Sequence, residues 1–261
     1  TCALPIYSYN AVLAATEYSL VTTKAARNVI KRRAKFLSLP LSTNNGQSML
    51  TFDFLKMDVK KSKLTAEVIM KYLKSSSRIQ IKTDAGTDLT LMKRGRMPGF
   101  FNGVTADGGG FSSASIEVYI PVEECGTNGT MVIDGSLGYI GAAREDTRVV
   151  FKEGRIVEIE ETPTGKRLKE YMEGYHDSGI YVAGELGIGL NSYSQCAGRC
   201  YIEDESAYGT FHIGLGRNIA LGGTHEANGH FDLVAREPNL FADNRQLIQQ
   251  GRIIIPEPVF F

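Results

Sequence analysis

Apolar and small positions recur at helical spacing from Ala11 to Lys35, with Arg27, Lys31, Arg32 and Lys35 on the polar side, which predicts an amphipathic helix there. A short strand over Ala34–Pro40 follows, stopped by Pro40, and Ser42–Gly46 is a polar turn cluster. Thr65–Lys74 reads as a second amphipathic helix with Thr65 placed to cap it. Arg78–Thr83 alternates with period two, and Ala85-Gly86-Thr87 turns it into a partner strand, Asp88–Met92. The first hundred residues thus interleave helix and strand, an α/β pattern. After Arg96 the texture changes. Met97–Ser115 reads as a glycine-rich loop, with Gly108-Gly-Gly110 near its end. Short β runs follow at Ile116–Pro121, Thr130–Asp134, Arg148–Phe151 and Ile156–Ile159, punctuated by turn signals at Asn128-Gly129, Gly135 and Glu153-Gly154. Thr164–Tyr175 predicts a helix, and residues 176–261 are rich in glycine and short strands, closing with Gly251–Ile255. The change of texture places a domain boundary near residues 93–100.

Composition narrows the class. The 261 residues are 43% hydrophobic and 22% charged, as in ordinary globular proteins, which excludes a disordered or fibrous chain. No run approaches the roughly 18 apolar residues that cross a bilayer, so no membrane partner is expected. Net charge is zero, which argues against a nucleic-acid partner, but the zero hides a split. Residues 1–100 carry 17 Lys/Arg against 6 Asp/Glu, a surplus of eleven positive charges, and residues 101–261 carry 12 against 23, the opposite surplus. All four histidines, His176, His212, His225 and His230, lie in the acidic part. Such a split reads most simply as two solvated regions that attract each other. Four cysteines, Cys2, Cys125, Cys196 and Cys200, are too few for a disulfide scaffold, and the C-x3-C spacing is less typical of zinc than C-x2-C. Thr1–Tyr7 has neither a basic start nor an apolar run of signal-peptide length. Together these features point to a reducing, cytoplasmic compartment. The absence of an initial Met is what a fragment would show.

The chemistry concentrates between Gly184 and Asp232. Glu185 interrupts an otherwise apolar run, Glu203-Asp-Glu205 follows, then His212, His225-Glu226, and the triplet His230-Phe-Asp232. Imidazole and carboxylate are the side chains that take zinc, manganese, cobalt or iron. In an H-x-D triplet on a strand both ligands project from one face, so His230 and Asp232 can grip one ion while Phe231 points to the opposite layer. A carboxylate in the setting of Glu185 is costly to bury without a cation. His212, flanked by Phe211 and Ile213, fits either a ligand or a hydrogen-bonded core histidine.

The segments Gly184-Glu-Leu-Gly-Ile-Gly-Leu-Asn191, Asp204-Glu205, Gly209-Thr-Phe-His-Ile-Gly-Leu-Gly-Arg-Asn218, Gly222-Gly223 and His230-Phe-Asp232 resemble the thermophilic metalloprotease (aminopeptidase T and leucyl-aminopeptidase-like) family. Upstream, Gly86-Thr-Asp-Leu-Thr90, Glu117-Val-Tyr-Ile-Pro-Val-Glu123 and Asn128-Gly129 extend that resemblance, which covers about residues 25–255 in order. It implies an α/β fold in two domains. Residues 1–95 would be a partial N-terminal α/β domain, and residues 96–261 a C-terminal α+β metal-binding domain with a mixed sheet. It also implies a homodimer, metal ligands at Glu117, Glu185, His212, His230 and Asp232, and His225 as a further site residue. The leading expectation is a metallo-aminopeptidase. In it zinc, cobalt, manganese or magnesium ions would activate water against a peptide, with Glu117 or Glu205 as general base. One departure matters: the family's tyrosine seven positions after the ligand histidine is Ile219 here, which cannot donate a hydrogen bond. The same superfamily has a branch resembling 2,5-dihydroxypyridine 5,6-dioxygenase, in which Fe(II) held by histidine and carboxylate opens an aromatic ring of a small-molecule substrate. That is the alternative expectation, and in it His176 is a further ligand candidate. A third reading keeps the metal as structure alone.

Overall fold

A computed structural model describes residues 9–107 and 109–255; Thr1–Tyr7, with Cys2, and Gly108 lie outside the described residues. The chain opens with a parallel unit. β1 (Ala11–Thr16) and β2 (Lys35–Pro40) pair in parallel from Ala11↔Lys35 to Thr16↔Pro40, and helix α1 (Lys24–Lys31) is the crossover between them. The helix expected over 11–35 is therefore a strand, a turn and a shorter helix. A parallel partner more than twenty residues away captured the apolar AVLAAT segment, a choice no local periodicity reveals. Thr23 caps α1 by accepting from the Ala26 amide at 3.2 Å.

Helix α2 (Val59–Ser75) begins six residues before the expected start. Its cap is Asp58, which accepts from the Lys60 and Lys61 amides at 2.9 and 3.2 Å. Thr65 lies inside the helix and donates back to the Lys61 carbonyl. Strands β3 (Arg78–Lys82) and β4 (Asp88–Met92) form the expected hairpin. The expected loop over 97–115 contains two short strands, β5 (Gly99–Phe101) and β6 (Phe111–Ser113). Next come β7 (Glu117–Pro121), β8 (Asn128–Ile133), β9 (Thr147–Lys152) and β10 (Arg155–Ile159). Asn128-Gly129 belongs to β8 rather than to a turn: Gly129 has φ +117 and lies against the Asp88 carbonyl, so the strands close up there without a hairpin. Helix α3 (Pro163–Glu173) is capped by Thr162 and has Pro163 in its first turn. The remainder is β11 (Ala183–Gly189), helix α4 (Tyr201–Ser206), β12 (Thr210–Gly216), β13 (His230–Arg236), β14 (Asn239–Ala242), β15 (Arg245–Gln249) and β16 (Arg252–Ile253).

Among the described residues these elements make an α/β fold of four helices and three sheets. One sheet is parallel, in the order β1-β2-β6. An eight-stranded antiparallel sheet runs β10-β9-β8-β4-β3-β14-β15-β16, and a five-stranded antiparallel sheet runs β13-β12-β11-β7-β5. The eight-stranded sheet takes β3 and β4 from one side of residue 96 and its other strands from the far side, so the change of texture there is not a gap in hydrogen bonding. One apolar core joins both antiparallel sheets to α2 and α3, through Ile79, Ile81, Leu186, Ile213, Leu233 and their neighbours, with Ile69, Leu73, Leu168 and Met172 from the helices. The basic and acidic halves meet in ion pairs, among them Lys63–Asp107 and Arg96–Glu124, each at 2.7 Å. No helix among the described residues is long and apolar enough to cross a membrane, which says nothing of a β-barrel.

Candidate metal centre

The five-stranded sheet puts its two kinds of side chain on opposite faces. Val118, Ile120, Leu186, Ile188, Phe211, Ile213, Leu215, Phe231 and Leu233 point to the core, and all are buried. The intervening positions carry Glu117 on β7, Glu185 on β11, His212 on β12, and His230 and Asp232 on β13. Registry then brings them together. Gly187 lies opposite His212 and Gly189 opposite Glu117, while Gly214 sits between Glu185 and Asp232. Glycine is required because the functional side chains lie over it. A Cβ on Gly214 would stand 2.8 Å from His230 Cε1 and 2.9 Å from Asp232 Oδ1, and one on Gly187 would collide with the His212 ring.

The resulting cluster is compact. His212 Nε2 lies 2.9 Å from Glu117 Oε2, and His230 Nε2 lies 3.2 Å from Glu185 Oε2 and 3.5 Å from Asp232 Oδ1. Two triads, Glu117–Glu185–His212 and Glu185–His230–Asp232, each converge within 4.8 Å and share Glu185. Outer contacts orient them. His230 Nδ1 donates to the Arg217 carbonyl at 3.0 Å, which turns Nε2 to the carboxylates; Ser115 donates to Glu117 Oε1 at 2.8 Å; and the Tyr201 hydroxyl donates to Asp232 Oδ2.

Charge sets the protonation of the cluster. Burial disfavours the imidazolium of both histidines, yet the surrounding carboxylates reverse this and raise His212 to about 9 and His230 to about 10. Burial alone would raise Asp232, but His212, His230 and the Tyr201 hydroxyl hold it well below the usual carboxylate range. Burial raises Glu185, and burial with the charges of Glu117 and Asp232 keeps Glu205 well above its ordinary value. Even so, Glu117 Oε2, His212 Nδ1 and Asp232 Oδ1 are buried without a hydrogen-bond partner. Glu117 Oε2 lies 2.9 Å from His212 Nε2 as an ion-pair contact yet has no hydrogen-bond partner. A buried polar atom left this way costs about 1–3 kcal/mol. A divalent cation among these oxygens and nitrogens answers that cost, and the donor set suits iron, zinc, cobalt or manganese.

The cluster floors a cavity of about 480 Å³. Its walls combine the tyrosines Tyr18, Tyr139, Tyr171, Tyr175 and Tyr201 with small polar side chains, and Tyr139 is stacked on Tyr201 at 4.3 Å. The five ligand candidates lie together on the floor, and Glu205 lines the same cavity from α4. His225 does not line it: its Nε2 meets the Gly179 carbonyl at 2.8 Å and its amide donates to Asn218 Oδ1, so it ties two loops together. His176 is exposed in a turn with φ +49, also away from the cavity wall. Asp204 accepts from the Ala197 and Gly198 amides at 2.9 Å, fixing the loop before α4. Sequence reasoning missed the tyrosines and Arg217. α4 is only six residues long, too short for a periodic signal around Tyr201, whereas Tyr171 and Tyr175 at i,i+4 were within reach of one.

A cavity floored by clustered imidazoles and carboxylates, on an antiparallel sheet relieved by glycine, has the form of a metal centre within an α/β fold. A family model described as 2,5-dihydroxypyridine 5,6-dioxygenase (NicX) matches residues 50–255, and the chain belongs to that family. A curated 2,5-dihydroxypyridine 5,6-dioxygenase of Pseudomonas putida is 24% identical over 214 residues, 77% of this chain. The chain spans about 60% of that relative's length. The solved structure of the 2,5-dihydroxypyridine dioxygenase from Pseudomonas putida KT2440 superposes with a TM-score of 0.80 at 18% identity, covering 98% of this chain and 74% of that one. AmpT from Thermus thermophilus reaches 0.56 at 18% identity, over 76% of this chain and 55% of its own. Both superpositions speak to fold alone. The expected aminopeptidase-type hydrolase is overturned, because the family match and the curated relative both carry the dioxygenase description. Ile219, the departure met in the sequence seven positions after His212, carries no hydrogen-bonding group and agrees with that correction.

Proposed function

We propose that this chain carries the iron(II) site of a non-haem ring-cleaving dioxygenase acting on a dihydroxylated pyridine, as the names of its relatives describe for them. The observation that carries the reading is the pair of triads, Glu117–Glu185–His212 and Glu185–His230–Asp232, which bring two imidazoles around the shared carboxylate of Glu185 on the floor of a cavity lined by tyrosines. Two imidazoles and a carboxylate are the donor set of non-haem iron(II) oxygenases. Iron(II), when bound, supplies the one-electron chemistry that lets dioxygen react with a closed-shell ring. The residues of this chain do the rest. The Arg217 carbonyl holds His230 in the tautomer whose Nε2 faces inward, and Tyr201 and Ser115 fix one oxygen each of Asp232 and Glu117. The wall tyrosines offer flat apolar faces to an aromatic ring.

The test is anaerobic loading with iron(II), followed by elemental analysis and oxygen uptake on 2,5-dihydroxypyridine. The expected result is one iron per chain and one dioxygen consumed per ring opened. Stoichiometric iron with neither oxygen uptake nor loss of ring absorbance on any dihydroxypyridine overturns the reading.

A further inference from the structure

Arg217 is the only Arg or Lys among the described residues that line the cavity, and it has no acidic partner. Its Nε is buried without a hydrogen bond, and its two terminal nitrogens make only long contacts, to the Ala227 carbonyl at 3.4 Å and the Thr22 hydroxyl at 3.3 Å. Glu226, whose charge acts on it, is paired instead with Arg27 at 3.8 Å. A half-buried guanidinium without a salt-bridge partner is poorly compensated unless something else in the cavity pairs with it. Its backbone is fixed as well. The Arg217 amide donates to the Gly229 carbonyl at 2.9 Å, and its carbonyl accepts from His230 Nδ1, so the residue that orients a floor ligand also presents a cation to the cavity.

We propose that Arg217 is the residue that positions the substrate, by pairing with the ring oxygen that faces away from the histidine–carboxylate floor. This rests on the dioxygenase reading above and adds what that reading leaves open: which group selects the second oxygen. In 2,5-dihydroxypyridine the oxygens on carbons 2 and 5 point in opposite directions. A ring that turns one of them to the floor presents the other to a wall. The oxygen on carbon 2 is electron-rich as the pyridone and anionic when ionised, and a planar guanidinium with free N–H groups is matched to it. The tyrosines can donate a hydrogen bond to such an oxygen but bring no positive charge to match its anionic form.

The experiment is equilibrium binding by calorimetry on the anaerobic iron(II)-loaded protein, where no turnover occurs. The ligands are 2,5-dihydroxypyridine and 3-hydroxypyridine, which keeps the ring nitrogen and one hydroxyl but lacks the oxygen on carbon 2. The wild-type protein should favour the dihydroxylated ring by about ten- to a hundredfold, the scale of one charge-assisted hydrogen bond. Arg217→Met should bind both rings alike at unchanged iron content, and Arg217→Lys should keep part of the preference. In turnover Arg217→Met should raise KM far more than it lowers kcat. A preference that survives in Arg217→Met, or a wild-type protein without one, overturns the proposal while leaving the iron site standing. Loss of iron from both variants also overturns it, since Arg217 would then serve His230 alone. A wild-type protein that holds iron and binds neither ring overturns the dioxygenase reading itself, and this proposal with it.

Discussion

The five-stranded and eight-stranded sheets are both antiparallel and both send aliphatic rows into one core, yet their second faces follow opposite rules. On the eight-stranded sheet the positions between Ile79 and Ile81 or Val149 and Phe151 reach outward, flanked by charges such as Lys82, Arg148 and Lys152. Its cross-strand pair Lys82–Asp88, at 2.7 Å, is about half exposed. On the five-stranded sheet β11 and β12 are buried at every position, so their second face cannot use water to satisfy polar groups. There the chain alternates glycine with Glu185 and His212, and the glycines vacate the space that the large side chains occupy. A charge on the first sheet is solvated and nearly neutral in energy. A charge on the second is desolvated and must be matched by a neighbour or a cation.

Breaking this contrast should have its largest effect on the buried face. Replacing His230 and Asp232 together by alanine should reduce bound iron below detection and turnover by at least about a thousandfold, as elemental analysis and oxygen uptake would show. Metal content unchanged in that double variant would sink the site assignment. On the opposite face of the same sheet, Leu186→Ala should cost about 2–5 kcal/mol in urea unfolding while leaving the metal stoichiometry of the folded protein intact. If it also emptied the site, the two faces would not be separable. Gly187→Ala should displace His212 and weaken iron binding by about ten- to a hundredfold in a chelator competition. Unaltered affinity would show that glycine is not what admits the ring.

A graded effect should appear with pH in the metal-free protein. His212 and His230 rise from 6.5 to about 9 and about 10, so between these values the folded chain holds more protons than the unfolded one. Their contribution is fully present below pH 6.5 and is lost as pH climbs through 9 and 10, so stability falls across that window. Thermal melts at constant ionic strength check this, and a rise in stability from pH 7 to 10 contradicts it. The smallest effect belongs to the outer sheet: Lys82→Ala should cost less than about 1 kcal/mol, and less still in high salt. A larger loss there would erase the distinction between solvated and buried charge.

Much of the site was legible because the strands that bear it alternate strictly. H-x-D on a strand puts both groups on one face, and a lone Glu185 in an apolar run announces a buried acid. Helix α2 was read short for a specific reason. Its buried positions are Ser62, Ala66, Ile69 and Leu73, and a serine on the inner face hides the first turn from a hydrophobicity pattern. β1 was misread because a six-residue apolar segment satisfies both periods until its partner is known.

The sequence by itself determined the α/β class, the hairpin of β3 and β4, and the candidates Glu185, His212, His230 and Asp232, since side-chain alternation is a local property of the chain, while Glu117 entered only through the family resemblance. Tertiary structure decided the rest. Only strand registry could set Gly187 opposite His212 and Gly214 between Glu185 and Asp232, and so turn five separate residues into two triads. Only packing could carry His225 away to the Gly179 carbonyl and bring Tyr201 onto Asp232. Arg217 is the sharpest case. Its sequence neighbours say nothing of the cavity, and its place on the cavity wall without a salt-bridge partner emerges only once the chain has folded, because pairing depends on distances that no local spacing specifies.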